Sequence, residues 1–269
     1  MVRKSDPIGI FDSGIGGLTV ANAIRKKLPD ERIIYFGDTA HLPYGDKAPG
    51  SIRSYAIRIS DFLLSQECKT IVIACNSASS IAYQAVKDHV RRKCSVIDVI
   101  SPVVSHVTAL KKVRKVGVIG TRATIRSKEY PRQIHDRKKQ IEVVSQATPL
   151  LAPMIEEGFF NNNISRTVIH SYLSKPKLKE LDTLILACTH YPLIMDEISE
   201  FYNDNVRIIN TAEVVASKVK DTLRRRSLLA SRRNGPHHFY VSDYTRSFEE
   251  STRIFFEGSI SLEHLNFWA

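Results

Sequence analysis

A chain of 269 residues with 43% apolar content is long enough for one large α/β domain or two small ones around a proper core. No apolar run approaches the roughly 18 to 20 residues of a membrane span, and the polar opening Met1 to Asp6 has no signal-peptide core behind it, so the expectation is a cytoplasmic protein with no membrane partner. The formal charge of +11, from 39 Lys and Arg against 28 Asp and Glu, attracts anions without choosing among them, and its basic runs are scattered without interleaved aromatics, unlike a nucleic-acid platform.

The first strand-like run, Ile8 to Asp12, leads into Ser13-Gly14-Ile15-Gly16-Gly17, whose glycines permit a tight turn ahead of a helix over Thr19 to Leu28. This loop lacks the Lys-Ser/Thr ending of a P-loop and the spacing of a G-x-G-x-x-G fingerprint, so Asp12 reads better as a polar group facing a cleft than as part of a nucleotide site. A second strand follows at Arg32 to Phe36. Beyond it comes a loop with Pro43-Tyr44-Gly45 and a helix over Ser51 to Leu64 that places Ile52, Tyr55, Ile59, Phe62 and Leu63 on one face. Strands at Thr70 to Cys75 and Ser95 to Val99 complete the set.

The same order then begins again. Val116 to Gly120 echoes Ile8 to Asp12, and Gln140 to Val144 echoes Arg32 to Phe36, some 108 residues later. Thr183 to Cys188 echoes Thr70 to Cys75, and Val206 to Asn210 echoes Ser95 to Val99, some 110 to 113 residues later. Each run is short and almost continuously apolar, as expected of parallel strands buried on both faces, and helical patterns alternate with them. The expected fold class is therefore α/β: two similar doubly wound domains with parallel-sheet cores, related by pseudo-twofold symmetry, with the active site in the interdomain cleft. A tail beyond Glu213 would add a strand at His238 to Val241 and a helix over Thr245 to Phe256.

Four cysteines without a C-x-x-C pair read as reduced thiols, and Cys68 and Cys94 as small buried apolar groups. Cys75 and Cys188 differ, because the repeat puts both at the carboxyl end of a strand, where ligands bind in open α/β sheets. Each is followed by small hydroxyl or amide residues suited to capping a helix: Asn76, Ser77 and Ser79 in one case, Thr189 in the other. Amides at such a helix start would favour a thiolate or hold a substrate carboxylate. Two thiols on opposite sides of one cleft are what inversion of a stereocentre needs, one removing a proton and the other supplying it. His190 would assist the thiol or bind a carboxylate. Two cysteines with no nearby Cys or His cluster at ligand spacing make neither a zinc site nor a dithiol switch.

Taken together, Asp12-Ser13-Gly-Ile-Gly-Gly, Gly37-Asp38-Thr39 with Pro43-Tyr44-Gly45, Cys75-Asn76-Ser77, Pro153-Met-Ile-Glu156-Glu-Gly158 and Cys188-Thr189-His190 resemble the glutamate racemase family, over about Ile8 to Glu213. The resemblance implies a bacterial two-domain α/β isomerase, free of cofactor and metal, that interconverts L- and D-glutamate for peptidoglycan synthesis and cell wall biogenesis. It implies Cys75 and Cys188 as catalytic acid/bases with Asp12 and His190 as their respective helpers. It implies Asp12, Ser13, Tyr44, Gly45, Asn76, Ser77, Thr189 and His190 as substrate-binding residues, with Asp38 and Glu156 as further polar positions around the site. A tail that packs back on the first domain gives boundaries of 1–99 plus 212–269 and 100–211. A homodimer is expected.

Ser77 stands where the family usually has Thr, which keeps the hydroxyl. Asn210-Thr211-Ala212 replaces a more usual Asp-Ser-Ala, and beyond Asp243 little matches. Two other readings compete. An aspartate or related amino-acid racemase would differ by one methylene of pocket length, typically worth only about 1 to 3 kcal/mol. A basic DNA-interacting regulatory protein, in line with family members reported to influence DNA gyrase, would show steeply salt-dependent DNA binding.

Overall fold

The computed structural model describes residues 2–258 and 260–269. The chain first lays down β1 (Ile8–Asp12), α1 (Leu18–Lys27), β2 (Ile33–Gly37), α2 (Pro49–Ser65), β3 (Thr70–Ile73), α3 (Asn76–Val90) and β4 (Ser95–Asp98). It then repeats the scheme with α4 (Ile100–Ala109), β5 (Lys115–Gly120), α5 (Arg122–Arg126), α6 (Glu129–Arg137), β6 (Glu142–Ala147), α7 (Leu151–Glu156), α8 (Asn163–Leu173), β7 (Thr183–Ala187), α9 (Met195–Phe201) and β8 (Arg207–Ile209). The long α10 (Thr211–Arg225) precedes a tail of β9 (His238–Val241), α11 (Arg246–Phe255) and β10 (Leu262–His264).

Two sheets result, ordered β10-β9-β2-β1-β3-β4 and β6-β5-β7-β8, with every ladder parallel. They repeat one another row for row. Ile8 aligns with Ile33 and Thr70, and Thr70 with Ser95. In the second sheet Val116 aligns with Val143 and Thr183, and Thr183 with Arg207. The strands β1, β2, β3 and β7 are buried at every position, which is why they read as unbroken apolar runs. The edge strand β6 is only partly covered and carries polar residues on its open face. The expected Gln140–Val144 therefore shifts to Glu142–Ala147, with Ile141 held in a turn to the Lys138 carbonyl.

The tail extends the first sheet: β9 pairs with the β2 edge and β10 with β9. The expected tail strand stands as His238–Val241, while β10 was not foreseen. A buried ion pair fixes the tail's approach. Lys69 Nζ lies 2.5 Å from Glu31 Oε2 and donates to the carbonyls of Lys4 and Leu228, while Glu31 Oε1 accepts from the Ala230 amide at 2.9 Å. Asn210, where the usual Asp is missing, still caps α10, its side chain accepting from the Ala212 amide at 3.1 Å. Among the described residues no helix is long and apolar enough to cross a membrane.

Candidate active site

In each sheet the first strand has its neighbours laid down on opposite sides, so the connections leaving its carboxyl end and that of the next strand over diverge and open a crevice. Ser13 follows β1 and Cys75 follows β3; Thr121 follows β5 and Cys188 follows β7. All four line one cavity of about 280 Å³ between the two sheets' loop ends, a size suited to a small metabolite.

Cys75 sits at the N-cap of α3, which ends β3 two residues earlier than its apolar run suggests. Its Sγ accepts from the Ala78 amide at 3.4 Å and donates to Ser13 Oγ at 3.6 Å. Burial above all, and then the nearby Asp12 charge, push this thiol up to about 12, with the Ala78 amide and Ser13 opposing. Asp12 itself lies outside the cavity lining. One of its oxygens accepts from the Gly17 amide at 2.9 Å and the Gly14 amide at 3.3 Å, whereas Oδ1 is buried with no hydrogen-bond partner. Burial raises its pKa; the His190 charge and the Gly17, Gly14 and Ser13 amides pull the other way.

The second thiol has a different neighbour. Cys188 Sγ lies 3.6 Å from His190 Nδ1, and His190 Nε2 lies 2.8 Å from Glu156 Oε1. Burial alone would depress the imidazole, but its hydrogen bonds and charge interactions with Cys188 and Glu156 outweigh it and raise His190 to about 10. The ring reaches across to the first sheet's glycine loop. A Cβ at Gly16 would stand 2.3 Å from His190 Cε1 and 2.5 Å from Nδ1, so only glycine admits it. Phe255 meets the ring edge-on at 5.2 Å. No α-helix starts directly after Cys188: a 3₁₀ turn over Tyr191–Ile194 intervenes, with Pro192 near its start, so the expected helix-start amides serve Cys75 alone.

The walls of the cavity touch. Ser77 Oγ and Thr121 Oγ1 are 2.8 Å apart, Tyr130 OH donates to Asn76 Oδ1 at 2.8 Å, and Thr19 Oγ1 donates to the Thr189 carbonyl at 2.9 Å. Of the residues singled out from sequence, Ser13, Tyr44, Gly45, Cys75, Asn76, Ser77, Glu156, Cys188, Thr189 and His190 converge on the lining. Asp38 does not. It lies fully buried behind Tyr44, whose hydroxyl it accepts at 2.6 Å. Thr121 was missed, although the repeat offset that matches Ile8 with Val116 also matches Ser13 with Thr121; Pro43 and Pro153 stood within the quoted motifs without being singled out, and Leu42 and Ala152 carried no signal.

His190 is the one basic residue of the lining, so an anionic ligand there would be held by hydroxyls, amides and backbone N–H groups. Among the described residues no three His, Cys, Asp or Glu side chains are grouped to hold a metal ion. The cavity carries two cysteine sulfurs, one near a carboxylate and one beside a protonatable imidazole.

Comparison with known proteins places this geometry. Residues 18–219 match the Asp/Glu/Hydantoin racemase family. Glutamate racemase of Geobacter metallireducens is 41% identical over 254 residues, covering 94% of this chain and 93% of that protein. Glutamate racemase of Chlorobaculum tepidum is 42% identical over 255 residues with the same coverage. The crystal structure of glutamate racemase from Francisella tularensis in complex with D-glutamate superposes with a TM-score of 0.92 at 39% identity, covering 98% of this chain and 99% of that one. Aspartate racemase of Picrophilus torridus shares the fold at a TM-score of 0.59 and 19% identity.

Proposed function

Because the chain belongs to the aspartate/glutamate/hydantoin racemase family, and within it groups with the glutamate racemases, we propose that it interconverts L- and D-glutamate by passing the α-proton between Cys75 and Cys188. The observation that carries this reading is the pair of cysteines at repeat-matched strand ends, facing one small cavity from its two halves.

Cys75 keeps its proton at neutral pH, since burial and Asp12 hold its pKa near 12. In the resting enzyme it serves as the acid. Cys188, beside the His190 imidazolium that Glu156 supports, serves as the base. Cys188 removes the α-proton from one face of the substrate, leaving a planar carbanion. Cys75 then delivers its own proton to the other face. The enzyme ends with the two sulfurs' protonation exchanged, the state that processes the opposite enantiomer; His190 lies at the Cys188 sulfur, and the Asp12 charge holds the proton on Cys75 until the carbanion takes it. Ser13, Asn76, Ser77 and Thr189, with the backbone of Tyr44 and Gly45, hold the substrate's carboxylates. Residues 1–99 with 212–269, and 100–211, are the two bodies that close on the substrate. The D-glutamate formed would supply peptidoglycan synthesis in the cytoplasm.

The test is circular dichroism of the protein with L-glutamate and then D-glutamate in deuterium oxide, without added cofactor. Signal from either enantiomer should decay to zero, the product should carry deuterium at the α-carbon, and Cys75→Ala or Cys188→Ala should each abolish racemisation. Decay with aspartate alone would transfer the mechanism to the shorter substrate. Full activity in either cysteine variant would overturn the two-base scheme.

A further inference from the structure

Asp38 is buried beside the cavity with four side-chain partners, two of them, Ser242 and Trp268, from the tail. The carboxyl group is 0% exposed, so protein donors must replace water around it. Ser242 Oγ donates to Oδ1 at 2.8 Å and the Trp268 indole N–H donates to the same oxygen at 2.7 Å. Tyr44 OH donates to Oδ2 at 2.6 Å, and His41 Nδ1 lies 3.0 Å from Oδ2. The indole is held in turn: Arg58 lies over its ring at 4.9 Å, and His41 and Tyr55 meet it edge-on at 4.6 and 5.3 Å.

Tyr44 is a cavity wall whose hydroxyl is spent on Asp38 rather than offered to a ligand. The next residue, Gly45, presses on the opposite half of the molecule, where a Cβ would stand 2.9 Å from Thr121 Cβ. Asp46 then pairs with Arg122 at 3.1 Å. Where Tyr44 sits therefore sets where the two cavity walls meet. We propose that Trp268 is a positioning residue for the cavity, acting through Asp38 to hold Tyr44 and the Gly45 wall in the ligand-binding geometry. Its kinetic arm and its response to D-glutamate rest on the racemase reading above; the ligand-free emission does not.

The sequence holds a single tryptophan, so emission excited at the red edge, where tyrosine does not absorb, reports on this junction alone. In the ligand-free protein Tyr44→Phe should change the Trp268 emission, because the two donors share one carboxyl group. In the wild type, saturating D-glutamate should change it too, and Tyr44→Phe should remove that response. Trp268→Phe keeps the ring and loses the N–H; it should raise KM roughly fivefold with kcat within about threefold, and Ser242→Ala should act in the same direction. In the Tyr44→Phe background, Trp268→Phe should add nothing to KM. An emission indifferent to Tyr44→Phe, or an unchanged KM in both tail variants, or independent effects of the two ring substitutions, would overturn the proposal. Should Trp268→Phe not fold, Ser242→Ala and the emission of the Tyr44→Phe protein decide it. A wild type inactive on glutamate would refute the racemase reading while the ligand-free emission still tests the junction.

Discussion

The two cavity thiols are buried to the same degree, 5% and 6% exposed, so access does not distinguish them; charge does. Cys75 is raised from 9.0 to about 12, which leaves about a thousand-fold less thiolate than an ordinary cysteine at any pH well below 9. A more basic thiolate is also a better nucleophile. With a Brønsted coefficient of about 0.4 to 0.5, those three units restore about 15- to 30-fold, for a net rate about 30- to 60-fold below an ordinary thiol at equal access. Cys188 has the His190 imidazole at its sulfur and should be modified at least about tenfold faster than Cys75. The assay is peptide-level mass spectrometry after timed exposure to bis(2-hydroxyethyl) disulfide at pH 7, 8 and 9. The Cys75 rate should climb about tenfold per pH unit throughout. Asp12→Asn removes the second-largest cause of the elevation and should accelerate Cys75. Equal rates at the two cysteines at pH 7, or a Cys75 rate flat in pH, would refute the electrostatic account of which sulfur starts as acid.

Glu156→Gln removes a hydrogen-bonded charge that helps raise His190, so the alkaline limb of the racemisation profile should move to lower pH, and an unmoved limb would count against the Cys188–His190–Glu156 chain. The same shift has a sign for stability. A histidine at about 10 folded against 6.5 unfolded contributes fully below pH 6.5 and loses that contribution as pH rises through about 10, so Tm should fall over that window more in the wild type than in the variant. Lys69→Met leaves Glu31 buried without its cation and should destabilise the fold by about 3 to 5 kcal/mol in urea titration, whereas adding Glu31→Leu should recover most of it.

The repeat was legible because β1, β3, β5 and β7 lie inside their sheets, where burial on both faces writes itself as runs such as Thr70–Ile73 and Thr183–Ala187. Cys75 and Cys188 were legible for the same reason, since each follows such a run directly into a crevice. Thr121 could have been read and was not; its match to Ser13 needed the repeat to be carried one residue past the strand. The Asp38 junction lay beyond reach. It joins residues 230 apart through an indole nitrogen, and no periodicity marks a contact of that separation. The strand β10 is three residues long with Leu262 alone buried, too little pattern to distinguish from a loop. Asp12 was expected to face the cleft, but the glycine loop needs a partner for the Gly14 and Gly17 amides and takes one of its oxygens.

The second sheet is made from one uninterrupted stretch of chain, Lys115 to Ile209, while the first is interrupted by it and finished with β9 and β10. On the ribosome the order of completion is thus reversed from the order of synthesis. The half that begins first must wait, its β2 edge unpaired and its Asp38 without Ser242 and Trp268, until the second half has emerged and the tail has followed. The nascent chain carries an open parallel edge until His238–Val241 emerges to pair with it, and Trp268 then completes the shell around Asp38.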